Sequence, residues 1–148
     1  MPSDSSVFLG GLGMVVGGVV LDRISDIVAA KLEEWQSGMV RGSILLLPVA
    51  LVMHLVNFLV CTLGMIIFYF VLPIQGIHMM IGGSGILDVV SLRVVDVCLI
   101  VVGGLMMLIV YFLTDRRGPG GGPLTTVPFQ LGLDAVLTAI VHFLGWLN

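Results

Sequence analysis

The chain has 148 residues, of which 58% are hydrophobic and only 10% charged, and its mean hydropathy is +1.19. Soluble domains carry about a quarter charged residues, so this inventory does not build a water-facing surface, and an enzyme that works in water is not expected. The formal charge of -3 is small and scattered, which offers neither a nucleic-acid surface nor a polybasic lipid patch, and the expected solvent is a lipid bilayer.

Met1 to Ser6 lacks the basic start of a secretory signal, so the segment is expected to be retained. A first apolar run, 7–21, is short for a membrane span and rich in glycine. Behind it Ile24, Ile27, Val28, Leu32 and Trp35 recur at helical spacing opposite Asp22, Arg23, Asp26, Glu33 and Glu34. That pattern predicts an amphipathic helix over 22–36, running along the membrane surface.

The run 43–72 carries no charge and exceeds the ~20 residues that cross the hydrocarbon. Its excess length predicts tilt or a kink at Pro48, with Pro73 marking its end. Gln75 to Leu92, broken by Gly76, Gly82, Gly83 and Gly85, reads as a connector. A third span is predicted over 94–113, stopped by Asp115, Arg116 and Arg117. A flexible loop follows at 118–123, whose text is GPGGGP, and a fourth span at 131–147 ends on Trp146 as on a headgroup belt.

The expected fold is therefore all-α: a polytopic transmembrane helix bundle of three to four spans with an amphipathic N-terminal extension, one membrane domain over 1–148. Arg23, Lys31 and Arg41 sit between the first two spans, and Arg116 with Arg117 between the last two. The positive-inside rule puts both loops on the cytoplasmic or equivalent side of a bacterial inner membrane or an organelle membrane, and both termini outside. Cys61 and Cys98 lie within apolar runs, the setting of free thiols rather than of a disulfide framework.

The third-span text VVDVCLIVVGGLMMLIVYFL resembles the YqhA-like family of bacterial and plastid membrane proteins, in which an aspartate opens a glycine-bearing helix that ends in an aromatic pair. Asp96, Gly103, Gly104, Tyr111 and Phe112 take those places here. Arg41 leading into LLLPVALVMHLV, and VHFLGWL at 141–147 with its His142, are similar to other stretches of the family. The charged segment before the family's last helix is replaced by TTVPFQLGLD, and the first forty residues have no counterpart. The resemblance implies a helical membrane protein and no particular reaction.

Ionisable groups inside a bilayer cost several kcal/mol unless paired, which makes each a candidate for function. Asp134, Thr138 and His142 fall at four-residue intervals on one face of the last span, and His54, Asn57 and Cys61 on one face of the second. If these stripes face each other they line a polar or proton-carrying path, since histidine titrates near neutrality. The plainer expectation is interhelical hydrogen bonding, roughly 0.6 kcal/mol per pair in membranes. A bis-histidine haem b between His54 and His142 is a further alternative; otherwise no cofactor is expected.

Asp96 is expected to pair with Arg93 one turn earlier, and Gly13, Gly17, Gly103 and Gly104 to let helices pack closely. No phosphate-binding loop, metal-ligand set or nucleophile motif occurs. The leading functional expectation is a structural or assembly subunit, as a homo-oligomer or among unlike membrane subunits. An oligomeric ion or proton channel is the alternative, and a haem-bearing anchor the second.

Overall fold

Charge-free apolar runs satisfy their backbone polar groups most simply as helices, and the chain does so almost throughout. The computed structural model describes residues 4–42, 44–117 and 123–146, among which there is no strand. Helix α1 spans Ser5–Gly42, α2 Leu47–Gly64, α3 Leu72–Gly83, α4 Leu92–Arg117 and α5 Pro123–Leu144. A 3-10 turn, Ile44–Leu46, leads into α2, and a π-helical stretch, Met65–Val71, joins α2 to α3 without a break. Four of the resulting helical stretches are long and apolar enough to cross a membrane: Ser5–Gly38, Ile44–Gly83, Leu92–Leu113 and Thr126–Leu144.

Two antiparallel hairpins make the bundle. In the first, α1 lies against the whole of Ile44–Gly83; in the second, α4 lies against α5; and they meet where α3 touches α5. Asp4 N–H donates to Gly83 O at 3.0 Å at one end of the first hairpin, and Gln36 Nε2 to Ala50 O at 2.7 Å towards the other. The turn at 84–91, with Gly85 at φ 77°, therefore shares an end with Asp4 and Trp146, while Gly42 and Arg117, the last residues of α1 and α4, lie towards the opposite end.

The backbones touch at glycines seven residues apart. A Cβ on Gly76 would meet Gly11 O at 2.5 Å, one on Gly83 would meet Phe8 N at 2.5 Å, and one on Gly18 would meet Phe68 O at 2.9 Å. In the second hairpin a Cβ on Gly103 would collide with Gly132 O. Gly103 thus packs as expected, whereas Gly13, Gly17 and Gly104 have nothing within 4 Å of a Cβ and are not packing positions. Seven residues return a helix to nearly the same face, within about 20°, so Gly11 and Gly18 form a straighter seam than the four-residue pair.

Several boundaries differ from expectation. The connector expected over Gln75 to Leu92 is helical to Gly83, because Gly76 and Gly83 serve helix contact, while Gly85, at positive φ, serves the chain reversal. Pro73 does not end the helix: Leu72 N–H bonds Ile67 O across five residues, a wide π turn that absorbs the missing donor and the ring. Pro48 falls in the first turn of α2, where a proline N–H is not needed.

The segment 22–36 is the second half of one unbroken helix that stays packed along α2. Its apolar stripe, Ile24, Ile27, Val28 and Trp35, faces outward. Helix α5 begins at Pro123, eight residues before the expected span, and carries Pro128 inside it. The loop expected at 118–123 lies outside the described residues up to 122, as does the end of the expected span at 147.

Candidate functional site

At the end shared with the 84–91 turn, three titratable side chains from three helices join in one chain. Asp96 stands near the start of α4, His142 near the end of α5 and His78 in the second half of α3. His142 Nδ1 lies 2.7 Å from Asp96 Oδ1, and His142 Nε2 lies 2.7 Å from His78 Nδ1. The side chains of His142 and Asp96 are 1% and 4% exposed.

A carboxylate oxygen only accepts, so His142 donates from Nδ1 and presents the Nε2 lone pair. His78 then donates to that lone pair from Nδ1 and keeps its own Nε2 as acceptor. One tautomer set thus satisfies the whole chain. A proton taken at His78 Nε2 could leave His78 through Nδ1 and arrive on His142, beside the Asp96 carboxylate. A recess of about 170 Å³, lined by Leu92, Arg93, Asp96, His142 and Phe143, opens onto this chain. The Arg93 guanidinium sits over the Phe143 ring, 5.4 Å from its centroid. The expected Arg93–Asp96 pair is therefore replaced: Asp96 turns inward to His142 and Arg93 outward to an aromatic face.

Behind His142 the same face of α5 stays polar. Thr138 and Asp134 are each fully buried and Gln130 nearly so. Thr138 Oγ1 donates to Asp134 O at 2.7 Å, and Gln130 Nε2 reaches Phe68 O at 3.5 Å, in the π-helical stretch. Among the described residues no group bonds either carboxyl oxygen of Asp134. Asp134 lies within electrostatic reach of Asp22 on α1, and Tyr69 within reach of both aspartates. The expected stripe Asp134, Thr138, His142 is thus an interior feature, set against α3, α4 and the π-helical stretch.

The second stripe does not face it. His54 is on the exposed side of α2, and Cys61 Sγ bonds Asn57 Oδ1 at 3.5 Å one turn away on the same helix. His54 and His78 are 24 positions apart on one continuous helical path, about 36 Å at 1.5 Å per residue, and His142 sits at His78. A single haem cannot bridge His54 and His142 over that span, so the bis-histidine alternative fails on geometry. Among the described residues no group of three or more His, Cys, Asp and Glu side chains is arranged to hold a metal ion, and both cysteines are free.

Three participants were not expected from sequence: His78, Gln130 and Asp22. His78 lies in the stretch that reads as a connector, and the signal that places it in a helix is the seven-residue interval Gly76–Gly83, which matches Gly11–Gly18 across the hairpin. No family model, no curated protein and no solved structure matches the chain.

Proposed function

We propose that this chain is an integral membrane protein that carries protons, with Asp96, His142 and His78 as the loading relay at one membrane face. The observation that supports it is the unbroken hydrogen-bonded carboxylate–imidazole–imidazole chain inside a bundle of span-length helices, reached by a recess from one end. Such groups are costly in an apolar interior, and their alignment into a single donor-to-acceptor sequence is what proton transfer uses. Asp96 and His142, two positions on which the resemblance to the YqhA-like family rests, are direct partners in it. Enzymatic turnover forms no part of this proposal.

Reconstitution into liposomes with an entrapped pH-sensitive dye tests it. Wild-type protein should dissipate a pH gradient, and His142→Gln, which keeps hydrogen bonding but cannot titrate, should lower the flux at least about tenfold while leaving the fold intact. Absence of wild-type flux, or equal flux in the variant, overturns the proposal. Its membrane topology is tested separately: in a cysteine-free background, Ser37→Cys and Ser84→Cys should be labelled by an impermeant thiol reagent from opposite sides.

A second reading, an assembly subunit in a homo-oligomer or among unlike subunits, is favoured by His54. Its imidazole stands on an outward face of α2 among exposed Leu51, Leu55 and Phe58, where an apolar solvent gives it no partner. A detergent-solubilised mass of one chain, unchanged in His54→Leu, would argue against that reading.

A further inference from the structure

Asp134 is a buried titratable group that the relay does not use. It stands near the middle of the span-length stretch Thr126–Leu144 and is fully enclosed by the bundle. Side chains kept for interhelical bonding bond their neighbours, and Asp134 does not: among the described residues neither carboxyl oxygen has a partner. Gln130 and Thr138, one turn to either side on the same buried face, direct their bonds to backbone oxygens, of Phe68 and of Asp134 itself. His142 follows two turns on, about 12 Å at 1.5 Å per residue, with the Thr138 hydroxyl between them.

We propose that Asp134 is a proton-binding carboxyl of the membrane interior, which exchanges its proton through Thr138 with the His142 relay. The proposal extends the relay and rests on that reading of it. A carboxylate at this place would be a charge with no hydrogen bond and no counter-ion, the costliest state a side chain can take inside a bilayer. A proton on one carboxyl oxygen removes that charge, and only the O–H bond forms or breaks as it comes and goes. The groups around it supply no cation in its place. Asp22 on α1 and Tyr69 in the π-helical stretch are within electrostatic reach, α3 brings His78 to the His142 end, and α4 between Asp96 and Tyr111 carries only Cys98 as a titratable residue. The Thr138 hydroxyl donates to Asp134 O, and its oxygen can accept as well, so it is suited to pass a proton between the two stations.

The test is infrared spectroscopy of the full chain in liposomes, beside the flux assay. Wild-type protein should show the carbonyl stretch of a protonated carboxylic acid. Isotopically labelled aspartate should shift that band, and Asp134→Glu, whose carboxyl carries no label, should return it to the unlabelled frequency. Asp134→Asn should remove the band, whereas Asp96→Asn should leave it. In heavy water the band should move as deuterium replaces the proton, and His142→Gln should slow that exchange at least about tenfold. Proton flux should fall at least about tenfold in Asp134→Asn and recover in Asp134→Glu. A band untouched by Asp134→Glu, a band that never exchanges, equal exchange in His142→Gln, or full flux in Asp134→Asn would each overturn the proposal. Exchange that depends on His142 in a protein without flux would uphold the proton site and overturn the proton-carrying function alone.

Discussion

At the end of the bundle that holds Asp96, the backbones of α1 and α3 touch through Gly11, Gly76 and Gly83, and the interior carries a completed hydrogen-bonded chain. Towards the other end the same two helical stretches meet as α1 and α2, through Gln36 on Ala50 O and Ser25 against Gly64, and leave a cleft lined by Asp22 and Asp26. The first half of α1, up to Leu21, is free of charge, whereas Asp22, Arg23, Asp26, Lys31, Glu33 and Glu34 follow in its second half. The placement of glycine differs as well: at a contact position it lets backbones close until side chains from a third helix become neighbours. Larger residues at those positions hold the helices apart.

Gly76→Leu should break this difference most severely. Even a Cβ there would meet Gly11 O at 2.5 Å and Val15 Cγ2 at 2.7 Å, so the helices must separate. A loss on the order of 3 kcal/mol or more is expected. It should show as a large fall in melting temperature in detergent, whereas Gly13→Leu, with nothing near its Cβ, should melt close to wild type. Equal stability of the two variants would mean that the glycine seam does not set the packing.

Asp96→Asn comes next. The amide keeps shape but removes the charge that orients His142, and a charge-assisted hydrogen bond contributes about 1.5–3 kcal/mol. The loss should overlap with that of His142→Gln in a double-mutant cycle, because the two side chains share one bond. Additive losses would show that they act apart.

The smallest effect belongs to Gly13→Ala. A helical alanine is favoured over glycine by about 0.5–1 kcal/mol, and no neighbour opposes the added methyl, so a slight rise in melting temperature is expected. A fall would place a further partner against that face.

Parts of the polar site are legible in the sequence. Asp134, Thr138 and His142 share a helix face by spacing alone, and that face is interior. Asp96 stands out as a charge inside a long apolar run. Its partner is not legible: Arg93 is one turn away and oppositely charged, yet the carboxylate takes an imidazole 46 positions along the chain. Helical spacing cannot report such a bond, because it states which residues share a face and never which faces meet. The mistaken connector has a related cause. Gly76, Gly82 and Gly83 suit a turn and a close helix contact equally well, and only the matching seam on α1 separates the two uses.

Length, hydropathy and the distribution of charge by themselves led to an all-helical chain with three to four membrane spans, since those properties follow from runs of consecutive residues, and among the described residues four helical stretches are long and apolar enough to cross a membrane. The tertiary structure alone decided which stripes look inward. It set His142 between Asp96 and His78, turned His54 outward, carried the helix through Pro73 on a π turn, and chose Gly11 over Gly13 for contact. The reason is that apolar helices have many nearly equivalent faces, and the choice among them rests on sub-ångström backbone approach and on hydrogen bonds between residues far apart in sequence.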